Sequence, residues 1–223
     1  MKILYEDDAV IVVVKEAGVA VQSANIGRMD LVSELRNHIH SPYIGVVHRL
    51  DQPVEGIMVF AKTSVAAAEL SEQVRDHLLN KRYDALVTLE GEDIPVKGTL
   101  RDHVIFDRRN NRSFVTEASA PGAKEALLDY EIKEILRGHE NRGAHVEIDL
   151  HTGRHHQIRL QLSHARMPII GDRKYNDAKK PRNGGLCLAA SGLVFIHPGS
   201  HTRMEYHTEP GFLNKKETII ADL

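Results

Sequence analysis

The chain has 223 residues, which is the length of one domain or of one domain with a small appendage. Hydrophobic residues make up 42% of it and its 29 basic side chains nearly balance 31 acidic ones, which excludes wholesale disorder. The single cysteine excludes an internal disulfide framework, and no apolar run approaches the roughly 20 residues of a membrane span. Because the N-terminus also lacks the residue order of a signal peptide, we expect a cytoplasmic protein without membrane contact.

The first third of the chain alternates strand patterns with helix patterns. Residues 10–14 are β-branched and residues 55–61 are apolar, so both segments predict buried strands. Residues 30–39 predict a short helix, and Thr63 is placed to cap a second helix that we expect to continue to about Leu79. The buried stripe of that second helix is predicted to be Ala67, Leu70, Val74 and Leu78.

The rest of the chain predicts mostly strands joined by turns. Only residues 154–166 are ambiguous, because their apolar residues fit both a strand and a helix. The other predicted elements are a strand at 82–89, short strands with turns at 90–122, a strand pair at 125–136 and 144–150 with a polar turn at 138–143, a loop at 176–185 and strands near 186–197 and 201–207. Strands outnumber helices, so we expect an α+β fold with a mostly antiparallel mixed sheet and flanking helices, built as one domain over residues 1–223.

The first segment with chemical potential is His48-Arg49-Leu50-Asp51-Gln52-Pro53. Asp51 follows the apolar run 44–47 and precedes a proline turn. A carboxylate at the end of a buried element can be partly removed from water, which suits a nucleophile or a general base. A turn residue that pairs locally with Arg49 explains the same pattern, and this segment alone favours that simpler explanation.

The second segment reads Thr152-Gly153-Arg154-His155-His156-Gln157-Ile158-Arg159. We expect Gly153 to let the chain turn sharply out of the preceding strand. From Arg154 to Arg182 there are eight Lys or Arg residues against two Asp, a local charge of +6, which leaves −8 for the rest of the chain. The net charge of −2 therefore does not exclude a nucleic-acid binder, because phosphates respond to the local basic patch.

The histidine content raises an alternative function, a metal-dependent hydrolase that uses His151, His155 and His156. We expect the adjacent side chains of His155 and His156 to diverge on a helix, and the sequence has no HExxH spacing. We therefore expect no metal site. Cys187 lies among apolar neighbours and is interpreted as a core residue.

The third segment is Lys81-Arg82-Tyr83-Asp84-Ala85-Leu86-Val87, in which a tyrosine in an apolar strand indicates by itself only a core position. Together, the HRLD-x4-G-x4-AK pattern, the KxYxALV strand and the TGRxHQIR stretch with its PIIGDxxY continuation resemble the RluA-type pseudouridine synthases. The resemblance follows the family's order from about residue 3 to residue 210. Three long motifs in the right order are far more specific than one.

The resemblance implies the pseudouridine synthase fold, with an RNA-binding cleft, and an enzyme that isomerises a specific uridine of rRNA or tRNA without a cofactor. It assigns the essential catalytic carboxylate to Asp51, stacking on the uracil to Tyr83 and a guanidinium partner of Asp51 to Arg159. The resemblance also predicts that residues 154–166 form a helix. Whether Asp51 attacks the sugar or base, or removes a proton from the sugar, stays open. RNA contacts are expected from His48, Arg49, Arg154, His156 and Gln157.

Some positions depart from the family pattern. The family commonly has Thr-Ser at Val54-Glu55, Asn-Lys-Pro at 14–16, and a histidine within 186–190, where this chain has alanine. Asp51, Tyr83 and Arg159 are retained, which argues against the second alternative, a non-catalytic RNA-binding module. We expect no N-terminal RNA-binding appendage domain and a monomer, so that the catalytic domain or a partner recognises the RNA.

Overall fold

The computed structural model describes residues 1–23, 29–138, 142–176 and 185–221, and it arranges the chain in two units. The first unit contains Met1–Lys81 and Ala189–Glu209, and the second contains Arg82–Leu188 and Pro210–Leu223. Some sequence-based expectations fall outside the described residues: the middle of the turn at 138–143, most of the loop at 176–185, and the charged residues Asp177, Lys179, Lys180 and Arg182.

Strands dominate the described residues, as the sequence predicts. The strands are β1 (Lys2–Glu6), β2 (Val10–Lys15), β3 (Gly45–Val46), β4 (Glu55–Ala61), β5 (Asn80–Thr88), β6 (Lys97–Asp107), β7 (Arg112–Thr116), β8 (Lys124–Arg137), β9 (Arg142–Leu150), β10 (Leu188–Ile196) and β11 (Arg203–His207). The helices are α1 (Leu31–His38), α2 (Ser64–Arg75), α3 (Gln157–His164) and α4 (Lys216–Ala221), with a short 3-10 turn at Leu213–Lys215. The predicted α+β class with a mixed, mostly antiparallel sheet is confirmed.

In the first unit the strand order is β1-β2-β4-β10, with β11 paired to β10 and β3 paired to β4. The pair of β4 and β10 is parallel, and the other pairs of this unit are antiparallel. Residues 10–13 of β2 are fully buried because alternate residues face opposite sides of a covered sheet, and Val14 is partly buried. On one side, α2 packs against this sheet through Ala66 and Leu70.

Helix α2 begins where the sequence predicts and ends earlier. The Thr63 hydroxyl accepts a hydrogen bond from the Ala66 amide, which confirms the predicted cap. The prediction that the helix continues to Leu79 and buries Leu78 is wrong. His77 adopts a left-handed conformation (φ 56°), and the amides of Leu78 and Leu79 turn back to one carbonyl. Leu78 is consequently 54% exposed, and Leu79 is buried instead.

The second unit is an antiparallel arrangement in the order β5-β9-β8-β6-β7. The predicted strand pair at 125–136 and 144–150 is confirmed as β8 and β9. Helix α3 confirms a helix within 154–166. Its first six residues are all buried, so its apolar pattern carries no clear period and cannot separate helix from strand. Helix α4, which the sequence did not predict, packs Ile220 over Gly143.

No helix within the described ranges combines the length and the apolar character needed to cross a membrane.

Gly56 permits a close approach of β4 to β10. It has a φ of 138°, and a Cβ built on it would lie 2.3 Å from the carbonyl oxygen of Ala190 on β10. Gly153 differs from the sequence-based expectation, because its φ is not left-handed and a Cβ there would meet open space. The left-handed residue of that segment is His156, with φ 54°.

We therefore predict that Gly56→Ala lowers the free energy of unfolding by at least ~2 kcal/mol, because it adds both steric overlap and backbone strain. Gly153→Ala is the matched control and should change stability by less than ~0.5 kcal/mol. Urea unfolding followed by circular dichroism measures both values. Equal stabilities of the two variants would contradict the assigned role of Gly56.

Candidate functional site

Asp51 lies in a turn between β3 and β4, as the HRLD motif indicates. Its carbonyl accepts a hydrogen bond from the Val54 amide at 3.0 Å, which closes the turn over Gln52 and Pro53. Leu50 and Val54 on either side are buried, whereas Asp51 itself is partly exposed. The turn is thus anchored by apolar side chains at both ends and presents the acid between them.

His48 explains how the chain leaves the sheet just before Asp51. On one edge of β4, β10 pairs at Glu55 and Gly56, and β3 pairs at Phe60 and Ala61. The buried imidazole of His48 accepts the intervening amide, that of Val59, at its Nε2 atom (3.1 Å). The His48 side chain therefore accepts the β4 amide next to the residues that pair with β3. The backbone is then free to leave the sheet and turn toward Asp51. Burial, followed by the charge of Lys81, holds the pKa of His48 well below its usual value.

A buried lysine, Lys15, stabilises the turn that contains Asp51. The side chain of Lys15, at the end of β2, is fully buried. Its ammonium donates to the carbonyls of Glu16 (3.0 Å), Val19 (2.8 Å) and Gln52 (3.1 Å), which uses all three of its protons. Gln52 is the residue directly after Asp51. The Lys15 ammonium therefore ties the 16–19 loop to the turn that carries the acid.

The charge of Lys15 is balanced by nearby carboxylates. Burial lowers the pKa of Lys15 to about 8, while the charges of Asp51 and Glu55 act in the opposite direction. At neutral pH the group is mostly protonated, so a positive charge lies beside Asp51 without access to water. Lys15 was not predicted to support the site, although a single charged residue that continues an apolar strand is a usable signal.

In the second unit, Arg159 is oriented by an acid on the following loop. Its Nε and Nη2 atoms donate to the two carboxylate oxygens of Asp172, both at 2.7 Å, and both side chains are buried. Burial alone would raise the pKa of Asp172, but the hydrogen bonds and charge of Arg159 hold it below its usual value. The guanidinium also lies 5.3 Å from the ring centre of Tyr175. Asp172 and Tyr175 belong to the PIIGDxxY part of the motif, and their contacts with Arg159 were not predicted from the sequence.

The TGRxHQ part of the motif is a hydrogen-bonded support for α3. The Oε1 atom of Gln157 accepts from the Thr152 hydroxyl and the Arg154 amide, and its Nε2 donates to Leu127 and Gln161. Thr152 in turn accepts from the Leu127 amide. These bonds connect the start of α3 to strand β8, so the helix that carries Arg159 begins at a defined place.

His155 and His156 precede α3 and do not diverge, so that expectation is wrong. His156 adopts a left-handed conformation, and the two ring centres lie 3.7 Å apart with the ring planes tilted by 33°. His156 is buried and shares a hydrogen bond with the Tyr175 hydroxyl (3.0 Å). Burial, followed by the charge of Arg159, lowers the pKa of His156 to about 3. His156 is therefore neutral at physiological pH.

The expected RNA contacts fall into two groups. Arg49 and Arg154 are exposed, and Arg154 is steadied by a hydrogen bond to the Glu125 carbonyl. His48, His156 and Gln157 are buried, and their hydrogen bonds lie inside the protein. This burial favours a supporting role for the second group over direct contact with RNA.

The structure brings His48, Arg49 and Asp51 together in the first unit, and Arg154, His156, Gln157 and Arg159 together in the second. Tyr83 also belongs to the second unit, where it is 5% exposed on β5 opposite Ile148 of β9. Joint action of Asp51 with Tyr83 and Arg159 therefore stays a prediction. In the described part of the chain, no three His, Cys, Asp or Glu side chains are grouped as metal ligands would be.

Solved structures share this fold. The human RNA Pseudouridylate Synthase Domain Containing 1 matches with a TM-score of 0.81 and 21% identity, covering 99% of this chain and 87% of that one. The human RNA Pseudouridylate Synthase Domain Containing 4 matches with a TM-score of 0.77 and 21% identity, covering 98% and 92%.

Sequence comparison defines the family. The sequence model described as RNA pseudouridylate synthase matches residues 9–164, and the chain belongs to this family. The ribosomal large subunit pseudouridine synthase D of Xylella fastidiosa is 35% identical over 89% of this chain and 62% of its own length. The tRNA pseudouridine synthase C of Salmonella typhi is 30% identical over 89% and 81%. The chain thus spans a little under two thirds of the length of the first of these relatives.

Replacement of Lys15 tests whether its hydrogen bonds hold the turn of Asp51, a set of contacts called the clamp here. We predict that Lys15→Met lowers the free energy of unfolding by about 2–4 kcal/mol, because it removes the charged donor that three carbonyls share, although those of Glu16 and Gln52 keep a backbone donor. The Gly18 amide, which donates to the Gln52 carbonyl, should also exchange faster with deuterium. Lys2→Met, at an exposed lysine of β1, is the control and should change neither quantity. Unchanged Gly18 protection in Lys15→Met would refute the clamp.

The low pKa of His156 predicts an acid-sensitive stability. Below pH ~6.5 an unfolded histidine binds a proton that folded His156 does not bind, so the unfolding free energy falls as pH drops from 7 to 5. One such group contributes up to ~1.4 kcal/mol per pH unit. His156→Asn keeps a residue suited to the left-handed conformation and should flatten this dependence in urea unfolding. His40→Asn, at an exposed left-handed histidine (φ 52°), should leave it unchanged; equal slopes for both variants would disprove the assignment.

Proposed function

We propose that this protein is an RNA pseudouridine synthase that isomerises a specific uridine in structured rRNA or tRNA. The observation that carries the proposal is Asp51, presented on a supported, partly exposed turn inside the segment that matches the family. The relatives named above include enzymes of both ribosomal RNA and tRNA, so both remain substrate candidates.

The reaction needs a carboxylate and positioned polar groups rather than a cofactor. The bond between the sugar C1′ and the uracil N1 breaks, the base rotates, and C1′ joins C5 of the uracil. C5 then loses its proton and N1 gains one, so no electrons are exchanged with another molecule. Asp51 serves either as the nucleophile or as the base that removes a sugar proton. No metal step is required.

The other candidate residues have separate tasks in this proposal. Tyr83 stacks on the uracil and assists removal of the C5 proton, and Arg159 pairs with Asp51 to orient it. The bidentate contact of Arg159 with Asp172 supports this role, because it fixes the plane of the guanidinium. The target base must leave its stack, which costs a few kcal/mol, and the exposed Arg49 is suited to fill the vacated space.

The setting in which the protein works is also a proposal. We infer that it acts in the cytoplasm, where rRNA and tRNA are available, and that it acts as a monomer. The basic segment that begins at Arg154 supplies local positive charge for the RNA phosphates despite the net charge of −2.

The decisive experiment removes the proposed catalytic carboxylate. We predict that Asp51→Asn lowers pseudouridine formation at least ~1000-fold, because the amide neither attacks nor accepts a proton. Pseudouridine mapping of total RNA from cells without the protein should reveal a lost site that the wild-type chain restores and Asp51→Asn does not. Asp8→Asn, at an exposed acid of the same unit, is the control and should restore the site.

Two results would overturn the proposal. Restoration of the site by Asp51→Asn would reject this residue as the catalytic group. Absence of any lost site, together with no tritium release from transcripts labelled at C5 of uridine, would favour the alternative of a non-catalytic RNA-binding module.

A further inference from the structure

Helix α3 ends in a left-handed residue that is an arginine. The Met167 amide donates to the Leu162 carbonyl (2.8 Å). The Arg166 amide donates to the Ser163 carbonyl (3.1 Å), which completes the Schellman pattern of a helix C-terminus. Arg166 occupies the left-handed position of this pattern, with φ 61°. Glycine is usual there because a side chain strains the conformation, so an arginine in this place points to a task for its side chain.

The Arg166 guanidinium lies flat against the backbone of Gly91. A Cβ built on Gly91 would be 3.4 Å from its Cζ and Nη1 atoms and 3.7 Å from its Nη2 atom, so the plane of the group faces the glycine. The Glu90 amide donates to the Arg166 carbonyl (3.0 Å), which joins the two segments. Among the described residues no group hydrogen-bonds or pairs with the guanidinium, so its N–H edge is available to a ligand.

The guanidinium borders a cavity of about 410 Å³. Small-molecule sites have volumes of roughly 300–1,000 Å³, so the cavity is large enough for a small organic ligand. Its walls are the loop at 91–95, the first residues of β6, Tyr130 of β8 and the end of α3. All of these segments belong to the second unit.

Hydrogen bonds hold the loop that forms one wall of this cavity. The Tyr130 hydroxyl donates to the Pro95 carbonyl (3.1 Å). The Ile132 amide donates to the Val96 carbonyl (2.6 Å). The buried Tyr130 ring also packs over Gly98, where a Cβ would be 3.1 Å from it. The loop is therefore attached to β8 at two points, and the cavity is formed before any ligand binds.

The cavity carries charges of both signs that do not pair with each other. Glu92 and Asp93 line it and are exposed, and within the part of the chain that the structure describes their carboxylates make no hydrogen bond or ion pair. The amides of Glu92, Asp93 and Ile94 have no acceptor among the same residues. Opposite charges that share a cavity without pairing can be bridged by a ligand that has both an anionic and a cationic group.

We propose that this cavity binds a free α-amino acid with an aliphatic side chain. The Arg166 guanidinium binds the carboxylate of the amino acid, and Glu92 or Asp93 binds its ammonium group. The aliphatic side chain contacts Ile94 and Leu100, which are both partly buried in the lining. Inorganic phosphate fits less well, because the lining has one cation against two acids. The site is separate from the groups of the proposed function and does not depend on it.

The test measures the binding of L-leucine to the full chain by isothermal titration calorimetry at neutral pH. We expect a Kd of ~1 mM or tighter, which is the range for so small a ligand. Isocaproate lacks the amine of leucine, and isoamylamine lacks its carboxylate. Each should bind at least ~10-fold more weakly than leucine, because each loses one charged contact.

The decisive variant is Arg166→Gly, which removes the guanidinium and relieves the strained backbone. It should weaken leucine binding at least ~10-fold without lowering the thermal midpoint, because glycine suits the left-handed conformation. His77→Gly is the matched control. His77 is exposed, has φ 56° and occupies the same position after α2, where the Leu78 amide donates to the Gln73 carbonyl (2.8 Å). This control should bind leucine as the wild-type chain does.

A second variant tests the acidic side of the cavity. Glu92→Gln/Asp93→Asn should weaken leucine binding roughly tenfold, because the ammonium group loses its charged partner. The same variant should not weaken the binding of isocaproate, which has no ammonium group.

The outcomes are clear for the site and independent of catalysis. Loss of leucine affinity in Arg166→Gly but not in His77→Gly, with a retained thermal midpoint, supports the site even if the wild-type chain forms no pseudouridine. Absence of leucine binding up to ~10 mM overturns it, as do equal affinities of the wild-type chain and Arg166→Gly. Tighter binding of inorganic phosphate than of leucine would also overturn it and indicate a simple anion site.

Discussion

A buried ammonium group is the interaction on which the candidate site of the first unit depends. A lysine without access to water is costly unless every proton has an acceptor, and the three carbonyls around Lys15 meet this condition. One of them belongs to Gln52, so the same contacts that make the burial tolerable also hold the turn of Asp51. The carboxylates of Asp51 and Glu55 then supply the opposite charge. The hydrogen bonds of Lys15 therefore both stabilise the turn and position Asp51.

The second unit also contains a buried positive charge whose protons are met by protein acceptors, and here the residue is an arginine. Arg159 is buried and its charge is met by Asp172 through two parallel hydrogen bonds, while the Tyr175 ring covers one face of the guanidinium. His156 is neutral and does not compete for the acid, because burial and the arginine itself depress its pKa. Lys15 and Asp172, which hold the Asp51 turn and Arg159, are thus themselves engaged in several hydrogen bonds.

The departures from the family pattern have physical consequences in this fold. Val54 is buried beside the Asp51 turn, so an apolar residue there contributes to the core of the first unit. Glu55 adds a second negative charge near Lys15. Ala190 faces Gly56 across the parallel pair of β4 and β10, and both residues are fully or nearly fully buried. These substitutions change the surroundings of the turn and leave Asp51 itself in place.

The sequence alone determined the class of fold, most strand positions, the Thr63 cap and the three motifs, because local periodicity and residue type report burial and turn formation. It did not predict that Lys15 contacts Gln52, 37 residues away, or that Asp172 holds Arg159. It also misjudged Leu78, Gly153 and the His155–His156 pair, since left-handed residues at His77 and His156 redirect the chain there. Partners that are distant in the chain, and backbone conformations that histidine adopts only when its surroundings support them, were decided by the tertiary structure.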